Sequence, residues 1–449
     1  MGLNNIEKKS RGYELLKIWV KFWHNRVYYR NFSIVNRNKI PLDKPMIFTP
    51  NHSNALMDAL AVLFSEDILF VFLARADIFK NPKVASILYF LKILPIYRVR
   101  DGFDTVKKSK DILRKAVDII TSGDAMVILP EGNHSRIRRL RPLKKGFARM
   151  AFQTEELNDF DLDLHVIPMG IDYDHFSKYR SSVVATFGEP VPVKNFIDIY
   201  KENPPVALNK LKDALSKNLA PVLIDIRSED YYDFYNEIRV IYRKHTAQLI
   251  GKNSCDESNR VAIDQETIKR LEEYEKTNPE EISKLNDITL RYNEIRKKFG
   301  FSNKIVENNG SSVLKFILHK IELLALFPIF IYGALNSLIP YSIPMIIVRK
   351  FEDEQFKSSV KFVVSALLFP IMYIIQFLIV FAITDIQIAL IYLASLPLSA
   401  ALAWRWTRVY MQVVAGFRFF INKITGNSKH KEMTELHGKL MRKMEGIIG

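Results

Sequence analysis

Three uncharged runs near the C-terminal end constrain this chain most. Residues 323–348, 363–384 and 386–404 contain no Asp, Glu, Lys or Arg. An apolar run of about 20 residues, wound as a helix, satisfies its own backbone polar groups and spans a hydrocarbon layer of roughly 30 Å. The second run reaches about 33 Å at ~1.5 Å per residue. Asp385 separates it from the third run, which predicts a tight hairpin of two spans. Pro328, Pro340 and Pro344 predict that the first run is interrupted, as a re-entrant or interfacial segment. Arg349, Lys350, Lys357 and Lys361 precede the hairpin, and Arg405, Arg408, Arg418 and Lys423 follow it. Cationic flanks stay on the cytosolic side. The expectation is a multi-pass membrane protein with its upstream domain facing the cytoplasm; a third crossing would move that domain to the opposite face.

The remaining chain is charged and basic. Its 449 residues carry a formal charge of +16, which points to anionic lipid surfaces or anionic substrates. No zinc spacing, RNA-binding signature or basic recognition helix accompanies that charge, so nucleic acid is not an expected partner. The single cysteine, Cys255, rules out an internal disulfide framework and suggests a reducing compartment. No secretory leader is read: Lys8, Lys9 and Arg11 precede an amphipathic segment, not a uniformly apolar one.

Five regions follow from the pattern. Residues 1–40 contain an amphipathic helix over 13–30, with Trp19 and Trp23 among interleaved lysines, suited to a membrane interface. Residues 41–225 alternate strand-like and helical patterns, as an α/β domain around a central mixed sheet does. Residues 226–310 form a charged helical region, 311–425 the membrane region with two or three hydrophobic segments, and 426–449 a basic tail.

Chemistry is concentrated in four blocks of the α/β region. The first, Asn51-His52-Ser53-Asn54-Ala55-Leu56-Met57-Asp58, follows the strand-like run at 46–49. A histidine oriented by a carboxylate is a base able to deprotonate an alcohol. Six positions along a straight helix would set the two on different faces, so His52 is expected in the turn before the helix, with Asp58 reaching back. The second block is Leu94-Pro95-Ile96-Tyr97-Arg98-Val99-Arg100. The third runs from Ile128-Leu129-Pro130-Glu131-Gly132-Asn133-His134-Ser135 to Leu140-Arg141-Pro142-Leu143-Lys144-Lys145-Gly146. The fourth is Val166-Ile167-Pro168-Met169-Gly170. Arg98, Arg100, Arg136, Lys144 and Lys145 are candidates to bind a phosphate, and His134 is read either as a further phosphate ligand or as a solvated side chain. Arg138, Arg139 and Arg141 read as a membrane-facing or solvated basic patch. Asp172 and Asp174 near His175 have irregular spacing, better explained by a turn than by a metal.

These blocks, in this order, resemble the PlsC-like glycerol-phosphate and lysophospholipid O-acyltransferases, from about residue 28 through Phe187-Gly188-Glu189-Pro190. The resemblance implies a PlsC-like acyltransferase domain, with His52 the catalytic base and Asp58 its partner. It also implies that Arg98 contacts the acceptor phosphate and that Glu131 and Gly132 belong to the acceptor site. Five residues separate His52 from Asp58, where the commonest form of the motif has four. Asn133-His134-Ser135 stands where Thr-Arg-Ser is common. Both features resemble the glycerol-3-phosphate and dihydroxyacetone-phosphate acyltransferase branch. The implied partners are a glycerol-phosphate acceptor, an acyl-CoA or acyl-carrier-protein donor, and membrane lipids. A thioester is already activated, so no metal or other cofactor is expected. The alternatives are acylation of 1-acylglycerol 3-phosphate and, from another class, an inactive lipid-binding or scaffolding relative. A transporter is not expected, because residues 363–384 offer only Gln376 and small hydroxyls among their polar groups.

Overall fold

A computed structural model describes residues 6–8, 10–97, 105–310 and 312–449. The chain folds into two compact units. The first comprises Met1–Asp225, Asn253–Gln265 and Asp353–Ser359, and the second Ile226–Lys252, Glu266–Glu352 and Val360–Gly449.

The first unit opens with α1 (Arg11–Phe22), whose N-terminus is capped by the Ser10 hydroxyl. Its Leu15, Ile18, Trp19 and Phe22 side chains are exposed. A π-helical turn at Trp23–Tyr28 leads into β1 (Tyr29–Val35). The helix predicted to reach residue 30 is α-helical to Phe22 and π-helical to Tyr28, and ends where β1 begins at Tyr29. Tyr28 and Tyr29 are buried, and parallel pairing of β1 with a later strand overrides the local helical periodicity. Alternation follows: β2 (Met46–Pro50), α2 (Leu56–Leu63), β3 (Phe70–Arg75), α3 (Pro82–Phe90), β4 (Ile93–Ile96), α4 (Thr105–Thr121), β5 (Ala125–Val127) and α5 (Gly146–Glu156). Then come β6 (His165–Tyr173), β7 (Ser181–Phe187), β8 (Val191–Pro192), α6 (Ile197–Glu202) and α7 (Pro204–Leu219).

The sheet order is β1-β7-β6-β2-β5-β3-β4, with β8 on β6. Pairs are parallel except β6–β7 and β6–β8, so the sheet is mixed as expected. Every residue of β2, β5 and β7 is buried, as central strands covered on both faces require. Ile47, Val71, Met126 and Val166 pack with Phe147, Leu211 and Leu215 in one core. Gly170 in β6 has no room for a side chain: a Cβ there would lie 1.9 Å from the Val222 carbonyl oxygen. Gly170→Ala is expected to cost about 3 kcal/mol or more, because backbone must move to admit the methyl. A thermal melt checks this, and an unchanged midpoint would show the approach to be looser than described.

The second unit is helical. It contains α8 (Tyr232–Leu249), most of α9 (Arg260–Thr277), α10 (Pro279–Phe299) and α11 (Asn303–Glu307). Gly300, at φ 71°, ends α10 in the left-handed conformation. The long helices α12 (Val313–Ile347), α13 (Glu354–Ile383) and α14 (Ile386–Ile424) follow, then α15 (Ser428–Ile448). The C-terminal segment expected as a basic tail is a packed helix. Met433, Leu440 and Met444 of α15 are buried, and Arg291 and Glu281 of α10 pair with its Glu432 and Lys443.

All three long helices are apolar and long enough to cross a membrane. The expected interruption of the first is absent: α12 runs unbroken through Pro328, Pro340 and Pro344. Each proline removes one backbone bond, but the remaining bonds of an apolar helix have no favourable alternative once water is excluded. α12 and α14 lie antiparallel. Glu322 pairs with Arg405, Phe330 stacks on Trp406, and Asn336 accepts from the Tyr392 hydroxyl at 2.6 Å. Gly333 lets the two backbones meet at Ser399, the small-residue contact that brings apolar helices together.

Candidate active site

The site begins where β2 ends. The Asn51 amide side chain extends the sheet ladder past the last strand residue: its Oδ1 accepts from Ile171 N at 2.7 Å and its Nδ2 donates to Ile171 O at 3.2 Å. This fixes the point at which the chain leaves the sheet, and His52 is the first residue of the turn.

Asp58 lies in the first turn of α2 and reaches back, as the spacing predicts. Its Oδ2 is 2.9 Å from His52 Nδ1 and also accepts from the backbone N–H groups of Ser53 (2.8 Å) and Asn54 (2.7 Å). Its Oδ1 accepts from the Tyr173 hydroxyl at 2.8 Å. The carboxylate is fully buried, while the His52 side chain keeps 18% exposure. A buried carboxylate with four donors is held in one orientation. A proton on Nδ1, held by Asp58, leaves the Nε2 lone pair free to accept another. Burial raises the Tyr173 hydroxyl well above its ordinary pKa, with the Asp58 charge adding to this, so it stays a neutral donor.

The third block holds the other side of the same turn. Glu131 Oε2 accepts from His52 N at 3.1 Å and from the Arg141 guanidinium. Ser135 N and Arg141 Nη2 donate to His52 O at 3.1 and 2.8 Å. Both backbone polar groups of His52 are thus pinned. Burial raises the Glu131 carboxyl above its ordinary value, opposed by the Arg141 charge. Gly132 takes φ 76°, a turn conformation that glycine adopts without cost.

A cleft opens beside the dyad, lined by Asn51, His52, Glu131, Arg138, Arg139, Arg141, Asp172, Phe176 and Leu223. The arginines read as an outward-facing patch are turned inward instead. Arg141 grips Glu131 and His52, while Arg138 Nε donates to Asp172 at 3.0 Å. Buried carboxylates draw them in, and these acceptors become neighbours only when β6 closes on β2. Asp172, weighed as a metal ligand, instead bridges Arg138 and Arg260, whose Nε lies 3.1 Å from Oδ2.

The other phosphate candidates fall differently. Arg98 and Arg100 lie outside the described residues. Arg136 donates to Glu354 Oε2 at 3.1 Å, and His134 Nε2 lies 3.3 Å from Asp353 Oδ2. The His134 ring stands edge-on to that of His52 at 5.3 Å and to Phe356 at 4.9 Å. Lys144 and Lys145 do not line the cleft; Lys145 precedes α5 at its N-cap. Tyr173, Arg260 and the acidic pair Asp353 and Glu354 were not identified from the sequence. Only Tyr173 left a local signal, as an aromatic in a strand directly beside the two flagged aspartates.

Comparison with known proteins bears on this arrangement. Residues 31–172 match the Acyltransferase family model. Glycerol-3-phosphate O-acyltransferase 1 of Saccharomyces cerevisiae is 23% identical over 255 residues, covering 55% of this chain and 32% of that protein. Glycerol-3-phosphate O-acyltransferase 2 of the same yeast is 25% identical over 226 residues, covering 48% and 29%. A chloroplastic 1-acyl-sn-glycerol-3-phosphate acyltransferase of Brassica napus is 25% identical over 112 residues, covering 25% and 30%. The chain spans about a third of the length of these relatives.

Proposed function

Because its α/β unit contains a PlsC-like acyltransferase domain, we propose that this protein is a membrane-bound O-acyltransferase of phospholipid synthesis. It moves an acyl chain from an acyl thioester to the hydroxyl of glycerol 3-phosphate or dihydroxyacetone phosphate. The observation that carries this reading is the His52–Asp58 pair, with its carboxylate saturated by donors, beside an arginine-lined cleft.

In this mechanism His52 Nε2 takes the acceptor's hydroxyl proton as the oxygen attacks the thioester carbonyl. Asp58 holds the ring and stabilises the imidazolium that forms. The tetrahedral intermediate collapses, the C–S bond breaks, and the thiolate leaves with the proton returned by His52. The products are the ester and the free thiol of coenzyme A or acyl-carrier protein. Arg138, Arg139 and Arg141 line the cleft and provide cations for the acceptor phosphate. Arg98 keeps the role its motif position implies. Helices α12–α14 anchor the chain in a bilayer, and the exposed apolar side chains of α1 suit a membrane surface, where acyl donors and lysolipids meet.

The five-residue spacing and the two yeast relatives favour a glycerol-phosphate acceptor. The Brassica relative supports a second reading, 1-acylglycerol 3-phosphate. An inactive scaffold is disfavoured, because such a protein has no need of a saturated carboxylate behind an accessible histidine. The test is acyl transfer by the detergent-solubilised chain from labelled acyl-CoA, then acyl-carrier protein, to the three acceptors side by side. Turnover of glycerol 3-phosphate or dihydroxyacetone phosphate is expected. Turnover of the lysolipid alone would select the second reading, and no turnover with either donor would select the scaffold.

A further inference from the structure

The turn between His52 and Asp58 has a defect that its own sequence does not repair. Ala55 sits in its middle at φ 48°, ψ −121°, a conformation that a residue with a Cβ rarely adopts. Ala55 is also the N-cap of α2, and alanine has no side-chain oxygen for the free N–H groups of the first helical turn. Asp58 lies in that turn, so any shift of α2 moves the carboxylate away from His52.

The missing support comes from about 300 residues downstream. Leu56 N, the first N–H of α2, donates to Ser359 Oγ at 3.2 Å. On the other side of Ala55, the Ser358 hydroxyl donates to Asn54 Oδ1, while Asn54 N donates to Asp58. Asn54 Nδ2 is anchored on Phe176 O at 3.1 Å. Ser358 is held in turn by the Tyr28 hydroxyl, which donates to its carbonyl at 3.2 Å. Both serines are buried. They stand in the first turns of α13, and Asp353–Ser359 packs as part of the α/β unit.

We propose that Ser358 and Ser359 are positioning residues for the catalytic dyad, bracing the strained Ala55 turn so that Asp58 meets His52 Nδ1. Ser359 satisfies the first N–H of α2 and Ser358 fixes Asn54, one on each side of the residue with positive φ. The longer His–Asp spacing is thereby tied to a segment far away in sequence: α13, which braces the turn, runs on as one of the helices able to cross a membrane. The proposal rests on His52 being the base.

The experiment compares full-length Ser358→Ala, Ser359→Ala and Ser359→Thr proteins with wild type, in detergent. Steady-state kinetics are paired with hydrogen exchange across residues 51–60. Each alanine variant is expected to lose about tenfold in kcat with little change in KM for either substrate. Amides of residues 53–58 are expected to exchange at least about tenfold faster, and Ser359→Thr, which keeps the acceptor oxygen, to restore both. Unchanged exchange in that turn, or a loss confined to KM, would overturn the proposal. If wild type transfers no acyl chain to any acceptor, the base assignment fails. Exchange alone then decides whether the serines brace the turn.

Discussion

Replacing His52 by alanine is expected to lower kcat by about 10²- to 10⁴-fold, the usual contribution of a positioned general base. KM for both substrates should change little, because the imidazole acts on a proton in flight and does not hold the phosphate or the acyl chain. Asp58→Asn should approach the same loss. The amide keeps the shape, but its NH₂ group can turn toward Nδ1, which would put the imidazole proton on Nε2 and remove the base. The carboxylate also accepts from Ser53 N and Asn54 N, so the substitution weakens the turn as well as the ring contact. Initial-rate kinetics against acceptor and donor in turn measure both variants. Wild-type kcat in His52→Ala would exclude His52 as the base, and a rise in KM alone would make it a binding residue.

The second large effect lies behind the cleft. Asp172 is 7% exposed and sits between Arg138, at 10%, and Arg260, at 2%. Arg260 also bonds to Glu257, which accepts from Arg30, so charges of both signs alternate from a buried centre at Asp172 and Arg260 out to the surface at Arg30. Removing one member of such a network leaves the others with a desolvation cost that nothing repays. Asp172→Ala is expected to destabilise the α/β unit by about 3–5 kcal/mol. It should also disorder Arg138, and with it the cleft wall. Thermal or denaturant unfolding of the purified protein measures the first effect. A loss below about 1 kcal/mol would mean that water reaches the guanidinium groups and screens them, as at a surface pair.

How much of this was legible beforehand depended on the distance over which each feature is set. The alternation in 41–225 was readable because strand and helix periods are written in the order of apolar residues, and the mixed sheet followed. The His52–Asp58 contact was readable because six residues of chain leave few ways to join a strand end to a helix. The strand at 29–35 was not, because Tyr29 and its neighbours fit a helical pattern until β7 offers them a ladder. The arginines at 138 and 141 were misjudged for a related reason: a run of guanidinium groups looks solvated until buried carboxylates at 131 and 172 are brought within reach. The prolines of α12 gave a break by local rules, yet the helix runs on through all three of them.

By itself the sequence determined the α/β pattern, the three apolar runs and the pairing of His52 with Asp58. Each of these is encoded in local periodicity or in a short spacing. Tertiary structure alone decided what holds that pair in register. Tyr173 lies on a strand more than 100 residues away, Glu131 and Arg141 on a separate loop, and Ser358 and Ser359 at the start of a helix some 300 residues downstream. Hydrogen bonds between such distant positions leave no periodic trace, because their geometry exists only after the sheet has brought the strand ends together.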